Sequence, residues 1–238
     1  MASPMSAGTS TFGSSSRKVV ATVALIALDG AATTILRDCF KQYGISTVAV
    51  GADAVQRLKR EKFEACVLRL NEPGAEAILE AARTSPSNRR IVVYGICANS
   101  QEALRFSRFG INALLADPVE RQSVLRSVRA TQLLVINELR RYVRIPIVTE
   151  VVLTVQGRKH SATSQEISAG GMSLKTEFRA APPTGVEVEF TLPDSQHLAV
   201  GSNVCWQRDP DMLGVRFDAG DQRRLAVKKW IDDYLGLG

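Results

Sequence analysis

Cysteine is scarce in this 238-residue chain, and its four copies, Cys39, Cys66, Cys97 and Cys205, are scattered. No two stand at metal-ligand spacing, and neither His160 nor His197 completes a ligand set with them, so no zinc site is legible. Each cysteine lies in or beside an apolar run, which predicts buried, reduced thiols and a reducing compartment. Long apolar runs are also lacking. Val19–Leu28 is too short to span a bilayer. Asp29-Gly30 follows it where a signal peptide would carry a small-residue cleavage site. Residues 1–18 open with an uncharged stretch rich in Ser, Gly, Ala and Thr and are expected to be a disordered tail. A cytoplasmic protein that does not enter a membrane is the expectation. Catalytic signatures are missing too: no Ser/His/Asp arrangement, no phosphate-cradling glycine loop followed by lysine, and no metal cluster. His160 has only Lys159 beside it and no orienting acid, so it reads as a strand residue. The chain is expected to be no enzyme and to hold no cofactor.

What is present is an ordinary globular composition, 45% hydrophobic and 23% charged, long enough for two domains. The net charge is +6 and unevenly placed. Residues up to Asn137 hold 17 Lys and Arg against 11 Asp and Glu; from Glu138 onward the balance is 13 against 13. The excess is spread over several predicted helices, which reads as a solvated surface, so nucleic acid is not an expected partner.

The first half alternates short apolar strands with amphipathic helices. Strands are predicted at Val19–Leu28, Ser46–Val50, Ala65–Leu70, Ile91–Tyr94 and Ala113–Leu115. Helices are predicted at Ala31–Tyr43, Ala52–Glu61, Ala75–Arg83 and Gln101–Phe109, with another starting near Glu120. Such alternation indicates a doubly wound α/β domain with a parallel sheet, of flavodoxin-like type. Order and spacing over residues 19–130 resemble the receiver domains of two-component signalling. The run from Phe63 to Gly74 is similar to that family's third strand and following loop. The resemblance puts Arg69 where the family has its phosphoryl-accepting aspartate, and leaves only Asp29 of the acidic pair. Gly95 stands at the hydroxyl position, and Asp117, before Pro118, at the lysine position. Aspartyl phosphorylation needs a carboxylate nucleophile, a metal and a neutralising cation. The half is therefore expected to be a pseudo-receiver used for interaction or dimerisation. Asp29 also fits a plain turn residue.

Glu120–Leu139 contains no Pro or Gly and predicts a helix of about 20 residues, about 30 Å long. Its apolar stripe broadens towards the end, where a partner helix from this chain or a second copy would fit. Residues 131–139 are taken as the connecting helix, and a homodimer through it is one expected partnership. Beyond it the pattern turns to short β-branched strands: Val148–Val155, Ser161–Ser168, Gly171–Glu177, Val186–Leu192, Leu198–Trp206 and Met212–Phe217, with turn signals between them. This predicts a mostly antiparallel β-barrel over residues 140–238. A closing helix, Gln222–Leu235, is expected to cap it with Leu225, Trp230 and Tyr234, using Asp221 as N-cap.

Within this second half, Arg140-Arg141-Tyr142-Val143-Arg144 and Glu166-Ile167-Ser168-Ala169-Gly170-Gly171 resemble the paired motifs of PilZ domains, and Val204–Arg208 and Leu213–Phe217 resemble late PilZ strands. The resemblance implies cyclic di-GMP as ligand, bound by Arg140, Arg141, Arg144, Glu166, Ser168 and Gly171, in a non-catalytic effector relaying the messenger to an unidentified protein partner. The chemistry agrees. Arginine forks to guanine O6/N7, bonds phosphate or stacks on a base. Residues four apart, such as Arg140 and Arg144, share a face. Ser168 can bond the ligand, and Gly171 can admit close approach and positive φ. A carboxylate at 166 can accept from guanine N1–H and N2–H. The family usually has Asp or Asn there; Glu166 is one methylene longer, and weaker binding is expected.

Overall fold

The computed structural model describes residues 20–208 and 210–237; the tail expected over residues 1–18 lies outside the described residues. The first half is a five-stranded parallel sheet. Its strands are β1 (Thr22–Ile26), β2 (Ser46–Val50), β3 (Ala65–Arg69), β4 (Val92–Cys97) and β5 (Ala113–Ala116), in the order β2-β1-β3-β4-β5. β4 is buried along its whole length and β3 along all but its last residue. Continuous apolar runs of this kind suit strands covered on both faces. One face is covered by α1 (Gly30–Gln42) and α5 (Arg121–Tyr142). The other is covered by α2 (Ala54–Arg60), α3 (Ala75–Thr84) and a single 3₁₀ turn at Ser107–Phe109. The helix predicted over Gln101–Phe109 is thus split. α4 (Ser100–Leu104) stops early, and the 3₁₀ turn buries Phe109. Asp29 caps α1, its carboxylate accepting from the Ala32 N–H at 2.8 Å.

The second half contains β6 (Ile145–Pro146), β7 (Glu150–Val155), β8 (Arg158–Ser168), β9 (Gly171–Lys175), β10 (Gly185–Thr191), β11 (His197–Arg208), β12 (Met212–Phe217) and α6 (Arg224–Leu235). The order β8-β7-β10-β11-β12-β9 closes through β9–β8 pairing into a six-stranded antiparallel barrel, with β6 added along β8. Two bulges interrupt the ladders, between Ser164 and Glu166 on β8 and between Val204 and Trp206 on β11. Each extra residue bends its strand and re-aims the side chains around it.

Three side-chain expectations change here. Val227, Ile231 and Leu235, four apart on α6, are the buried face, whereas Leu225 and Tyr234 are exposed and Trp230 is only partly covered. Asp221 is not the N-cap of α6, which is Arg223. Its carboxylate instead accepts from the backbone N–H groups of Arg223 and Gly201, tying the approach of α6 to β11. Cys39, Cys66 and Cys97 are buried, but Cys205 is exposed, because it is the bulged residue of β11.

The two halves share one core. The apolar cluster beneath α1 runs through Val124, Val128, Val135 and Leu139 of α5, then Val143 and Ile145, into the barrel interior at Leu153, Val188 and Leu213. The broad stripe read from the sequence is therefore occupied along this face by both domains. Among the described residues, no helix is long and apolar enough to cross a membrane.

Candidate functional site

The end of α5 creates the site. Arg140 and Arg141 stand on its last turn. Val143 ends the helix with an extended backbone (φ −63°, ψ 128°), so Arg144 leaves the helical path. Across from them runs the β8–β9 hairpin, where the bulge before Glu166 turns that carboxylate outward. The two segments face each other because Ile145 and Pro146 pair with Ile167 and Glu166. A cavity of about 730 Å³ lies between them. It is lined by Arg140, Arg141, Arg144, Glu166, Ser168 and Gly171, together with Ala169 and Gly170. All six residues singled out in the sequence thus converge on one space, of a size usual for small-molecule sites.

The cavity has further walls that motif reading missed. Arg216 from β12, Arg224 and Lys228 from α6, Trp206 and Cys205 from β11, and Arg89 from the first half also line it. Arg224 and Lys228 are four apart on α6, a spacing visible in the sequence. Arg216 is the exposed residue of an otherwise inward β12. Arg89 carries no sequence signal, since only the packing of the halves brings it near. Among the described residues that line it, Glu166 is the one carboxylate against seven cations. Among the described residues, no carboxylate pairs with Arg89, Arg216, Arg224 or Lys228. Unneutralised cations around a concave, partly apolar space form an electrostatic trap for an anion.

The motif arginines are held differently. Arg140 is mostly buried; its Nε donates to Asp232 on α6 at 2.5 Å and its Nη1 to Asn137 at 3.0 Å. Arg141 donates to Glu138 at 3.0 Å. Arg144 is half exposed and lies 3.7 Å from Glu166. An exposed pair of this kind contributes about 1 kcal/mol or less, so redirecting Arg144 to a ligand costs little.

Two of these residues also serve the fold itself. The Ser168 hydroxyl is buried. It donates to the Gly171 carbonyl at 3.1 Å and accepts from the Gly170 N–H at 3.4 Å, so its proton closes the hairpin turn. Gly171 does not have positive φ. A Cβ there would stand 2.1 Å from the Val215 carbonyl oxygen, so the glycine is required by β9–β12 packing.

A larger cavity, about 810 Å³, lies on another face of the barrel, among Glu150, Lys159, Glu177, Lys175 and Asp211. Its lysines are paired, Lys159 with Glu189 and Lys175 with Asp211, and no motif residue reaches it. The smaller cavity carries the unpaired charge and is the candidate site.

Residues 138–235 match the model of the PilZ domain. This half of the chain is a PilZ domain. Among solved structures, the PilZ domain of CeSA from a cellulose-synthesizing bacterium is 20% identical, covering 40% of this chain and 97% of that one, with a TM-score of 0.33. The receiver domain of sensor histidine kinase PA1611 from Pseudomonas aeruginosa PAO1 is 19% identical, covering 47% and 97%, with a TM-score of 0.40. The chemotaxis response regulator CheY4 of Vibrio cholerae is 13% identical, covering 47% and 98%, with a TM-score of 0.42. No curated protein sequence matches the chain.

Ahead of the PilZ domain, the carboxyl edge of the parallel sheet holds an internal ion cluster. Arg69, at the end of β3, donates to Asp117 and to Asp29, the latter at 2.6 Å. The Ala32 N–H, followed by Arg69, holds the Asp29 carboxyl below its usual range. Asp117, followed by burial that opposes it, sets the balance at Arg69, whose guanidinium is held more firmly charged. A fixed side-chain cation thus ties Asp29 and Asp117 together at this edge of the sheet. No group of three or more His, Cys, Asp or Glu positioned to hold a metal occurs among the described residues.

The contact between the halves is polar around the shared core. Lys62 Nζ lies 3.5 Å from Glu138 Oε2 and 4.2 Å from the centre of the Tyr142 ring. Burial pulls the Lys62 pKa down. Among the described residues, Glu138 Oε2 has no short hydrogen-bond partner, and the Lys62 ammonium is the charge it faces. The Tyr142 hydroxyl donates to the Pro86 carbonyl at 3.1 Å.

Proposed function

We propose that this chain is a cyclic-di-GMP-binding effector that relays the level of the messenger to a protein partner without catalysis. A PilZ domain supports such a role in general. The observation that carries the reading is the convergence of Arg140, Arg141 and Arg144 with Glu166 on a cavity whose remaining cations have no carboxylate partner among the described residues. Two phosphates would meet the arginines and lysine, and guanine edges would meet arginine forks and the Glu166 carboxylate. Glu166 sits where a shorter acid or amide is usual, which supports modest affinity.

Readout follows from what the arginines already hold. Arg141 is bonded to Glu138, which faces Lys62 of the receiver-like half. Arg140 is bonded to Asp232 of α6. Ligand contacts to either arginine would compete with these bonds and bias the arrangement of the parts they join. Calorimetry with cyclic di-GMP on the full chain tests the reading. Saturable heat that disappears in Arg144→Ala supports it; a folded protein giving no heat at high micromolar ligand overturns it.

A second reading rests on a separate observation. Leu133 and Leu134 project from α5 into solvent, 71% and 45% exposed. They support a homodimer through this helix that ignores nucleotide. Light scattering with and without cyclic di-GMP separates the readings: a dimer unchanged by ligand in a protein that binds none favours the second.

A further inference from the structure

We propose that the cyclic dinucleotide site is shared between the two domains, with Arg89 of the receiver-like half contacting a ligand phosphate. The inference rests on the cyclic-di-GMP reading and extends it to a residue outside the PilZ domain. Arg89 lies between α3 and β4, far in sequence from every motif residue, yet it lines the same cavity as Arg140, Arg141 and Arg144.

The segment that carries Arg89 is built rigidly. Asn88, fully buried, donates to the Leu58 and Glu61 carbonyls at 2.6 and 2.7 Å and accepts from the Phe63 N–H at 3.0 Å. The Arg89 N–H donates to the Ser85 carbonyl at 2.9 Å, and Arg83 donates to the Arg89 and Ile91 carbonyls. These bonds use the backbone of Arg89 and leave its guanidinium for another partner. Among the described residues no carboxylate pairs with it. The Tyr142–Pro86 hydrogen bond fastens the same segment to the last turn of α5, between the motif arginines. The backbone at Arg89 is already ordered, so binding has only its side-chain rotamers left to fix.

The neighbouring Arg90 supplies the control. It is exposed on the same segment and does not line the cavity. A dianionic ligand feels the field of both cations, but only Arg89 stands where a charge-assisted hydrogen bond can form. Bridging by Arg89 would make ligand affinity depend on how the halves are docked.

Calorimetry with cyclic di-GMP on the full-length protein, on Arg89→Ala, on Arg89→Lys and on Arg90→Ala decides it. Arg89→Ala should weaken binding on the order of tenfold, as loss of one charge-assisted hydrogen bond predicts. Arg89→Lys should recover part of the loss, and Arg90→Ala should stay within about twofold of wild type at physiological salt. If wild type binds and Arg89→Ala binds equally well, or if Arg90→Ala loses as much as Arg89→Ala, the shared site is overturned while the cyclic-di-GMP reading stands. If wild type does not bind, both fall together.

Discussion

Replacing Gly171 by alanine separates a packing role from a ligand role in the hairpin motif. A Cβ at 171 would sit 2.1 Å from the Val215 carbonyl oxygen and 3.1 Å from Arg216 Cα, both backbone atoms of the paired strand β12. A side chain could rotate away, but a strand carbonyl cannot move without breaking the ladder that joins Arg216 to Gly171 and Val215 to Met172. Relief therefore requires parting β9 from β12 at the barrel seam. Overpacking with loss of ladder bonds predicts about 2–4 kcal/mol of destabilisation. For a chain of this size that is about 5–15 °C in the melting temperature of the barrel. Gly170 is the internal comparison, with nothing within 4 Å of its Cβ position and no positive φ. Gly170→Ala should be neutral or gain up to about 1 kcal/mol by restricting the unfolded chain. Differential scanning calorimetry of both variants without ligand is the assay. If Gly171→Ala melts within about 2 °C of Gly170→Ala, the seam is not as tight as described and the packing argument is wrong.

Other outcomes follow from the same geometry. Cys205 should be the thiol that reacts rapidly in the native protein, because Cys39, Cys66 and Cys97 are buried and burial pushes the Cys66 thiol up to about 12. Saturating cyclic di-GMP should slow its labelling, since Cys205 lines the cavity; an unchanged rate with bound ligand would place the ligand elsewhere. Burial raises the Glu64 pKa, with the Thr22 N–H bond opposing, so the folded state holds this proton more tightly than the unfolded chain does. Stability from this group is present below its unfolded pKa and is lost as pH rises through the folded one. Glu64→Gln keeps an acceptor for Thr22, so it should melt higher than wild type at pH 7, with the difference fading below about pH 4. A difference independent of pH would reject that assignment. Arg69→Ala leaves Asp29 and Asp117 facing each other without their cation and should lower stability, modestly because Asp29 is exposed. Urea unfolding that shows no loss would mean the cluster contributes nothing net.

Much of this molecule was legible because its strands differ in kind. β3 and β4 read as unbroken apolar runs, the mark of a sheet covered on both faces, whereas β10 alternates Val186, Val188 and Phe190 inward, the mark of a one-sided barrel wall. The order of elements and the convergence of Arg140, Arg144 and Glu166 follow from such local patterns together with motif spacing. Three things did not follow. Period alone could not place the bulge that exposes Cys205, since a bulge is the one-residue departure from that period. The roles of Ser168 and Gly171 depend on what lies across the turn and across β12, and those neighbours come from distant parts of the chain. Arg89 reaches the cavity only because α5 is continuous and its apolar face is shared by both cores. The sequence by itself determined the two folds, their order and the arginines at the joint, because periodicity and charge are local. Tertiary structure alone decided which hydroxyl is already committed, which glycine is packed and which cation of the first half meets the second, because each depends on contacts between segments that no local pattern encodes.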